Sequence, residues 1–375
     1  MPKKSTSNKT GNPEAGDTAF RVPPLTSLYL YISGTCNLSC AHCWISPTQS
    51  QTAGADSFLE PALVEKAVRE ARPLGLRNVK LTGGEPTLHP DFRKIVSKLN
   101  ESGISITMET NGTLISRDLA KFIGETPRFS SISVSLDGAK KETHEKLRGV
   151  PGCFEKTLKG LHNLVEQGLR PQLIATLHYG NLKEVGDIVA LANRIGCGSI
   201  KFNHVHAMGR GEKFDSNMIL TIEDIIHTYQ DIEDKFFDSS SIPIYFDIPF
   251  AFYPLRSFLR RRLARCRILN ILGILANGNV SICGIGTNIK ELVFGNLSHD
   301  KLARIWFENE ELKKIRLMIP NELKGICGNC VFRNLCIGHC LAMNYFQSGR
   351  FDSSYYFCEL AEKKGFLPKT RKVVQ

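Results

Sequence analysis

Three cysteines fall within eight residues in GTCNLSCAHCW (34–44), at positions 36, 40 and 43. Thiolates on so short a turn can converge on one metal ion or cluster. A structural zinc site would want a fourth ligand nearby and paired C-x2-C knuckles, yet His42 is the only spare donor in the loop and lies between two of the cysteines. Three protein ligands to a four-iron cubane would leave one iron open to a substrate or cofactor. Seven more cysteines follow at Cys266, Cys283, Cys327, Cys330, Cys336, Cys340 and Cys358, and only Cys153 and Cys197 stand apart from the two groups. The C-x2-C knuckle at 327 and 330 alone would fit zinc, but seven is an awkward number for whole zinc sites.

The elements that must hold these residues are legible as period. From residue 27 short β-branched runs alternate with amphipathic stretches of helical spacing. SLYLYIS (27–33), NVKLTG (78–83), SITMET (105–110), SISVSLD (131–137), QLIATLHY (172–179) and SIKFNHVH (199–206) read as strands. Helices are expected at 60–72, 90–102, 117–125, 153–168 and 181–196. Such β-α repetition implies a parallel sheet, and six units make an α/β partial (β/α)6 barrel of the TIM type rather than a closed eight-fold one. Chemistry in parallel architectures gathers at the C-terminal strand ends. The polar motifs obey that rule: GTCNLSC, GGEP, TNG, SLDG and HAMGRG each follow a strand. After about 215 the alternation stops, a helix is expected over 221–237, and a smaller, less regular Cys-rich domain follows.

Composition narrows the setting. No run of eighteen apolar residues occurs, and ILNILGILA (268–276) is too short to span a bilayer. The N-terminal MPKKSTSNKTGNPEAGD lacks the apolar core of a signal peptide. A cytoplasmic protein is expected, with no membrane partner. Reduced cytosolic thiols argue against disulfides and for metal or cluster ligation of the twelve cysteines. The net charge of +11, partly from RSFLRRRLARCR (256–267), permits an acidic partner, and a solvated basic face explains it as well.

C-x3-C-x2-C after the first strand of a partial barrel, with GGEP after the second, resembles the radical S-adenosylmethionine (SAM) enzymes. The resemblance implies a [4Fe-4S] cluster on Cys36, Cys40 and Cys43, with SAM chelating the open iron and cleaved reductively to a 5'-deoxyadenosyl radical. It implies SAM contacts at Gly83, Gly84, Glu85 and Pro86 (amine), with the Glu85 carboxylate pairing a cation, and at Thr110, Asn111 and Gly112. Ser135 and Asp137 match ribose positions, His42 lies where a side chain approaches adenine, and Arg210 is a candidate partner for the SAM carboxylate. HEKLRG (144–149) is also familiar from this family, with a structural role expected. The C-terminal spacing is similar to the SPASM extension, which implies two auxiliary [4Fe-4S] clusters, three clusters in all. Cys266, Cys283 and Cys340 would hold the first, completed by a remote residue or left with an open iron; Cys327, Cys330, Cys336 and Cys358 would hold the second. The implied domains are a flexible tail (1–22), the barrel (23–215), a helical linker (216–245), the SPASM domain (246–365) and a C-terminal tail (366–375).

Enzymes with this extension mostly modify peptides, so the expected function is maturation of a ribosomally made precursor peptide by thioether or carbon-carbon cross-linking or by epimerisation. The expected partners are a peptide or protein substrate and a flavodoxin- or ferredoxin-type reductant. No separate leader-binding domain is evident. Anaerobic sulfatase maturation comes second, because those enzymes place an aspartate after the cysteine matching Cys283, where this chain has Gly284. Radical oxidation or rearrangement of a small molecule or tetrapyrrole is a third reading. Epimerisation needs a hydrogen donor, for which Cys153 and Cys197 are the spare thiols, although a small buried hydrophobe is the commoner use of such residues. An iron-sulfur electron carrier would not need GGEP, and a zinc-dependent nucleic-acid binder would not explain the N-terminal loop, so nucleic acid is an unlikely partner.

Overall fold

A computed structural model describes residues 22–373 apart from 53, 55, 56, 237, 238, 261, 262, 264 and 265. The expected N-terminal tail, but for Val22, and part of the basic run at 256–267 lie outside the described residues. The six expected strands form at Ser27–Ser33 (β1), Asn78–Gly83 (β2), Ser105–Thr110 (β3), Phe129–Ser135 (β4), Gln172–Leu177 (β5) and Ser199–His204 (β6). Each is parallel to its neighbour, with Leu28 beside Val79, Leu81 beside Met108 and Ala175 beside Phe202. Leu28, Leu30, Leu81, Val134, Leu173 and Phe202 are wholly buried. Each such side chain contributes about 1.5–3 kcal/mol through apolar burial.

Helices close the outside of the sheet. Pro61–Ala71 (α1), Phe92–Glu101 (α2), Arg117–Gly124 (α3), Cys153–Glu166 (α5) and Val185–Ile195 (α6) lie where the helical period places them, and Lys141–Arg148 (α4) is an additional short helix. Ser116 caps α3 by accepting the Leu119 N–H at 3.1 Å. Two further parallel strands extend the sheet beyond the expected six. Ile244–Phe246 (β7) pairs with β6, and Ile271–Ile274 (β8) pairs with β1 on the opposite flank. Asn279–Ser281 (β9) and Val293–Asn296 (β10) follow antiparallel, giving the order β10-β9-β8-β1-β2-β3-β4-β5-β6-β7. The sheet is therefore open, and the barrel and the Cys-rich region share it rather than meeting at a linker.

The stretch expected as a linker (216–245) holds the helix Ile222–Phe236 (α7) and the start of β7. The last residues are not a free tail. Arg371 donates to the carbonyls of Ala251 and Tyr253, its own carbonyl accepts the Val331 N–H, and Leu367 is buried. No helix among the described residues is long and apolar enough to cross a membrane.

Candidate active site

The loop after β1 closes on itself, because Thr35–Cys36 pairs in parallel with Thr48–Gln49. Its three thiols, free of disulfides, line one cavity of about 340 Å3 at the C-terminal strand ends. Cys36 and Cys40 are each 6% exposed. Burial pushes Cys36 up to about 12 and raises Cys40 too, so coordination to a metal is what would take their protons. Donors already face the sulfurs: the Leu38 N–H and Asn111 Nδ2 point at Cys36 Sγ, and Arg148 Nη1 at Cys40 Sγ, at 3.4, 3.8 and 3.6 Å.

GGEP binds this loop to β2. Gly84 and Glu85 donate their N–H groups to the carbonyls of Ser33 and Thr35, at 2.7 and 2.8 Å. A Cβ on Gly83 (φ 128°) would lie 2.3 Å from the Ser33 oxygen, and one on Gly84 only 2.0 Å from that of Thr35. The glycines are thus required by contact between main chains, and both still line the cavity. The Glu85 carboxylate does not face a ligand cation as the resemblance suggested. It is fully buried and accepts from the Thr87 N–H and hydroxyl, the Thr110 hydroxyl and the Asn111 N–H. It braces the turn that presents Thr110 and Asn111 to the cavity. Pro86 opens the short helical turn Pro86–Leu88 and stays buried outside the cavity wall.

Ser135 lines the cavity, whereas Asp137 is enclosed beneath it. One Asp137 oxygen accepts from Arg148 Nε and the other from the Thr176 N–H. Burial opposes the charge, but the Arg148 guanidinium holds the carboxyl down at about 2. HEKLRG thus contributes a buried arginine that joins Asp137 to Cys40. Arg210 clamps the cysteine loop, with Nε donating to the Cys40 carbonyl at 2.9 Å and Nη1 to that of Pro47 at 3.3 Å.

Arg210 Nη2 remains, buried and without a protein partner, as do His42 Nδ1 and Asn203 Oδ1. Their three residues share the wall of the same cavity. Buried polar atoms are normally satisfied, so orphans gathered here fit a polar ligand such as SAM. His42 is neutral, its pKa lowered to about 4 by burial.

A second cavity, about 280 Å3, is lined by Tyr29, His339, Tyr355 and the thiols of Cys266 and Cys340, and shares Lys201, His206 and Asp247 with the first. Burial raises Cys340 and Cys283 above the ordinary thiol value, and the neighbouring thiols of this set add to it. Cys327, Cys330, Cys336 and Cys358 converge on a separate small cavity. Cys336 lines the second cavity as well, and Cys283 lines neither. In the second group burial opposes ionisation of Cys336, yet a hydrogen bond from His339 holds its thiol below the usual value. Cys153 packs against Cys36, Leu38 and Cys40, and Cys197 lies in the barrel core; neither lines either cavity. Lys201, Asn203, His204, His206 and Asp247 were not foreseen as site residues. The available signal was that Lys201, Asn203 and His204 are polar in a central parallel strand, where a near-continuous apolar run is usual.

Residues 30–192 match the radical SAM superfamily and residues 266–331 the SPASM iron-sulfur cluster-binding domain. An AdoMet-dependent heme synthase of Methanosarcina barkeri is 27% identical over 87% of this chain and 94% of its own. The antilisterial bacteriocin subtilosin biosynthesis protein AlbA of Bacillus subtilis is 25% identical over 86% of this chain and 70% of its own. The fold resembles that of Streptococcus suis SuiB bound to its precursor peptide SuiA, with a TM-score of 0.72 at 17% identity over 90% of this chain and 76% of that one. The matched domains imply iron-sulfur clusters and SAM, and the thiol sets and orphaned polar atoms fit them. The chain is a radical SAM enzyme whose barrel is followed by a SPASM domain.

Proposed function

We propose that this enzyme matures a ribosomally made precursor peptide, using SAM on a cluster held by Cys36, Cys40 and Cys43 and two auxiliary clusters on the C-terminal thiol sets. SAM at that cluster supplies a radical able to take a hydrogen atom from an unactivated C–H bond. The chain's own residues position the reaction. Arg210 Nη2 and the Asn111 turn face the SAM space, and the strand ends at Lys201 and His206 face the substrate.

The observation that carries the peptide reading is that the second cavity, with the thiols of Cys266 and Cys340 in its wall, shares Lys201, His206 and Asp247 with the first, so one lining runs from the SAM space towards the auxiliary thiols and suits a long substrate. Similarity to AlbA supports the same reading. Gly284 weighs against sulfatase-type chemistry, because a Cβ there would lie 2.1 Å from the Tyr31 hydroxyl oxygen, leaving no room for an aspartate.

The similarity to heme synthases supports a second reading, radical oxidation or rearrangement of a tetrapyrrole. One experiment separates them. Reduced, reconstituted enzyme with SAM is incubated with candidate precursor peptides and, separately, with an iron porphyrin. Loss of a hydrogen pair from a peptide, or deuterium uptake from heavy water, supports maturation; a SAM-dependent mass change in the porphyrin with unchanged peptides replaces it by the tetrapyrrole reading.

A further inference from the structure

We propose that His204, His206 and Asp247 form a mononuclear site for a divalent transition-metal ion, distinct from the clusters, at the junction of the two cavities. His204 ends β6, and His206 follows two residues later in the loop that leaves the strand. Their ring centroids are 4.5 Å apart. Asp247 comes from the residue after β7, fixed by its N–H donating to the Phe202 carbonyl at 2.8 Å. One ligand atom from each of the three lies within 4.8 Å of the others.

No two of the three groups share a full hydrogen bond: His206 Nε2 and Asp247 Oδ2 are 3.9 Å apart, beyond a hydrogen bond yet within the span an ion bridges, while Asp247 Oδ1 faces His339 and His204 Nδ1 lies 3.4 Å from the Val205 carbonyl. Donors on a metal with bonds of about 2.1 Å are roughly 3–3.5 Å apart, so binding would draw the set together by about an ångström. His206 and Asp247 are only partly buried and face open cavity, where their side chains can turn. His204 is buried at the end of its strand, 4% exposed. Behind Asp247, His339 Nε2 lies 3.3 Å from Oδ1 and orients the carboxylate, the outer support that metal ligands normally have.

Two histidines and one carboxylate on one side of an ion, with the remaining positions open, form a set that suits Fe(II) and also accepts Mn(II) or Zn(II). The open positions would face the substrate space. Lys201 and His339 already line the cavity beside Asp247, and Lys80 is paired with Glu109. A divalent ion therefore leaves excess positive charge, which calls for an anionic donor from the substrate, a carboxylate or thiolate.

The test uses reconstituted holoenzyme with oxidised clusters, which are silent in electron paramagnetic resonance, titrated anaerobically with Mn(II) and no substrate. One Mn(II) per chain should leave the free-ion signal, and pulsed spectra of the bound ion should show coupling to imidazole nitrogen. His206→Ala and Asp247→Ala should each weaken binding at least tenfold while iron and sulfide contents stay at the wild-type level. Bound Mn(II) without nitrogen coupling, no binding above a surface background, or unchanged binding in both variants overturns the proposal. The nitrogen coupling is read on the wild-type protein, so a variant that fails to fold does not blur the result. No substrate is present, so the outcome is independent of the peptide reading.

Discussion

Replacing Asp137 by Asn tests whether this residue is a strut of the cysteine loop or a direct SAM contact. Asp137 has no exposed surface; it is paired with Arg148, which is 7% exposed and reaches on to Cys40. The amide would keep an acceptor for the Thr176 N–H but set an NH2 against the Arg148 Nε–H, leaving a buried guanidinium unpaired. Removing one partner of such a pair costs roughly 3–5 kcal/mol. Unfolding entropy of about 2.1 cal/mol/K per residue gives ~0.8 kcal/mol/K for a chain of this length, so the apparent unfolding midpoint of the anaerobic holoenzyme should fall by about 4–6 °C. The sign with pH follows from a folded-state pKa depressed to about 2. The stabilisation is complete above the ordinary carboxylate value near 4 and is lost as pH falls towards 2, so the deficit should be flat between about pH 6 and 8. Arg148→Met should cost a similar amount, and the double variant less than the sum of the two. An Asp137→Asn enzyme with an unchanged midpoint and SAM affinity weakened tenfold would refute this account and place the carboxylate on the ribose.

Other outcomes follow from the same geometry. Arg210→Lys keeps the charge but loses the fork that spans Cys40, Pro47 and the cavity; a charged hydrogen bond of about 1.5–3 kcal/mol predicts SAM binding weaker by about 10- to 150-fold in equilibrium dialysis. Cys266→Ala and Cys358→Ala should each lower iron by about four atoms per chain, and the double variant by about eight; equal iron in single and double variants would mean one shared cluster. Gly284→Ala should cost about 1–3 kcal/mol by overpacking against Tyr31, and almost nothing further in a Tyr31→Ala background, as read by a double-mutant cycle of unfolding midpoints.

The ligand sets were legible because thiolates must be closely spaced or recur at fixed intervals to share a cluster. The six strands were legible because each is long enough to show a β-branched run. β7 was not: Ile244–Phe246 is three residues beside prolines, and only its pairing with β6 makes it a strand. Helix α4, KETHEKLR, is only eight residues long with Leu147 as its one aliphatic residue, so no apolar run announces it. Glu85 and Asp137 were placed correctly in the chain, but their motifs are silent on which way a carboxylate turns. For both, the direction is set by donors distant in sequence, Asn111 and Thr110 for one and Thr176 and Arg148 for the other. Asp247 lies 41 residues after His206 in an irregular segment, so no spacing rule connects them.

The pairing of β8 with β1 explains why the Cys-rich region does not behave as a tethered module. β1 carries the three-cysteine loop at its end, while β8 follows Cys266 by five residues and leads through β9 to Cys283. Gly284, next to Cys283, packs so closely on Tyr31 of β1 that a Cβ there would lie 2.1 Å from its hydroxyl oxygen, and Tyr29 lines the second cavity beside Cys266. The two thiol groups are therefore spaced by hydrogen-bonded main chain, with no flexible segment between β8 and β1 to absorb a change. On the proposed peptide reading, a substrate group held at Lys201, His206 and Asp247 would meet both from a fixed position, because these residues issue from β6 and its neighbour β7 in that same sheet. Selectivity for the bond attacked would thus reside in the sheet ends, and loops around the cavity would choose which peptide enters.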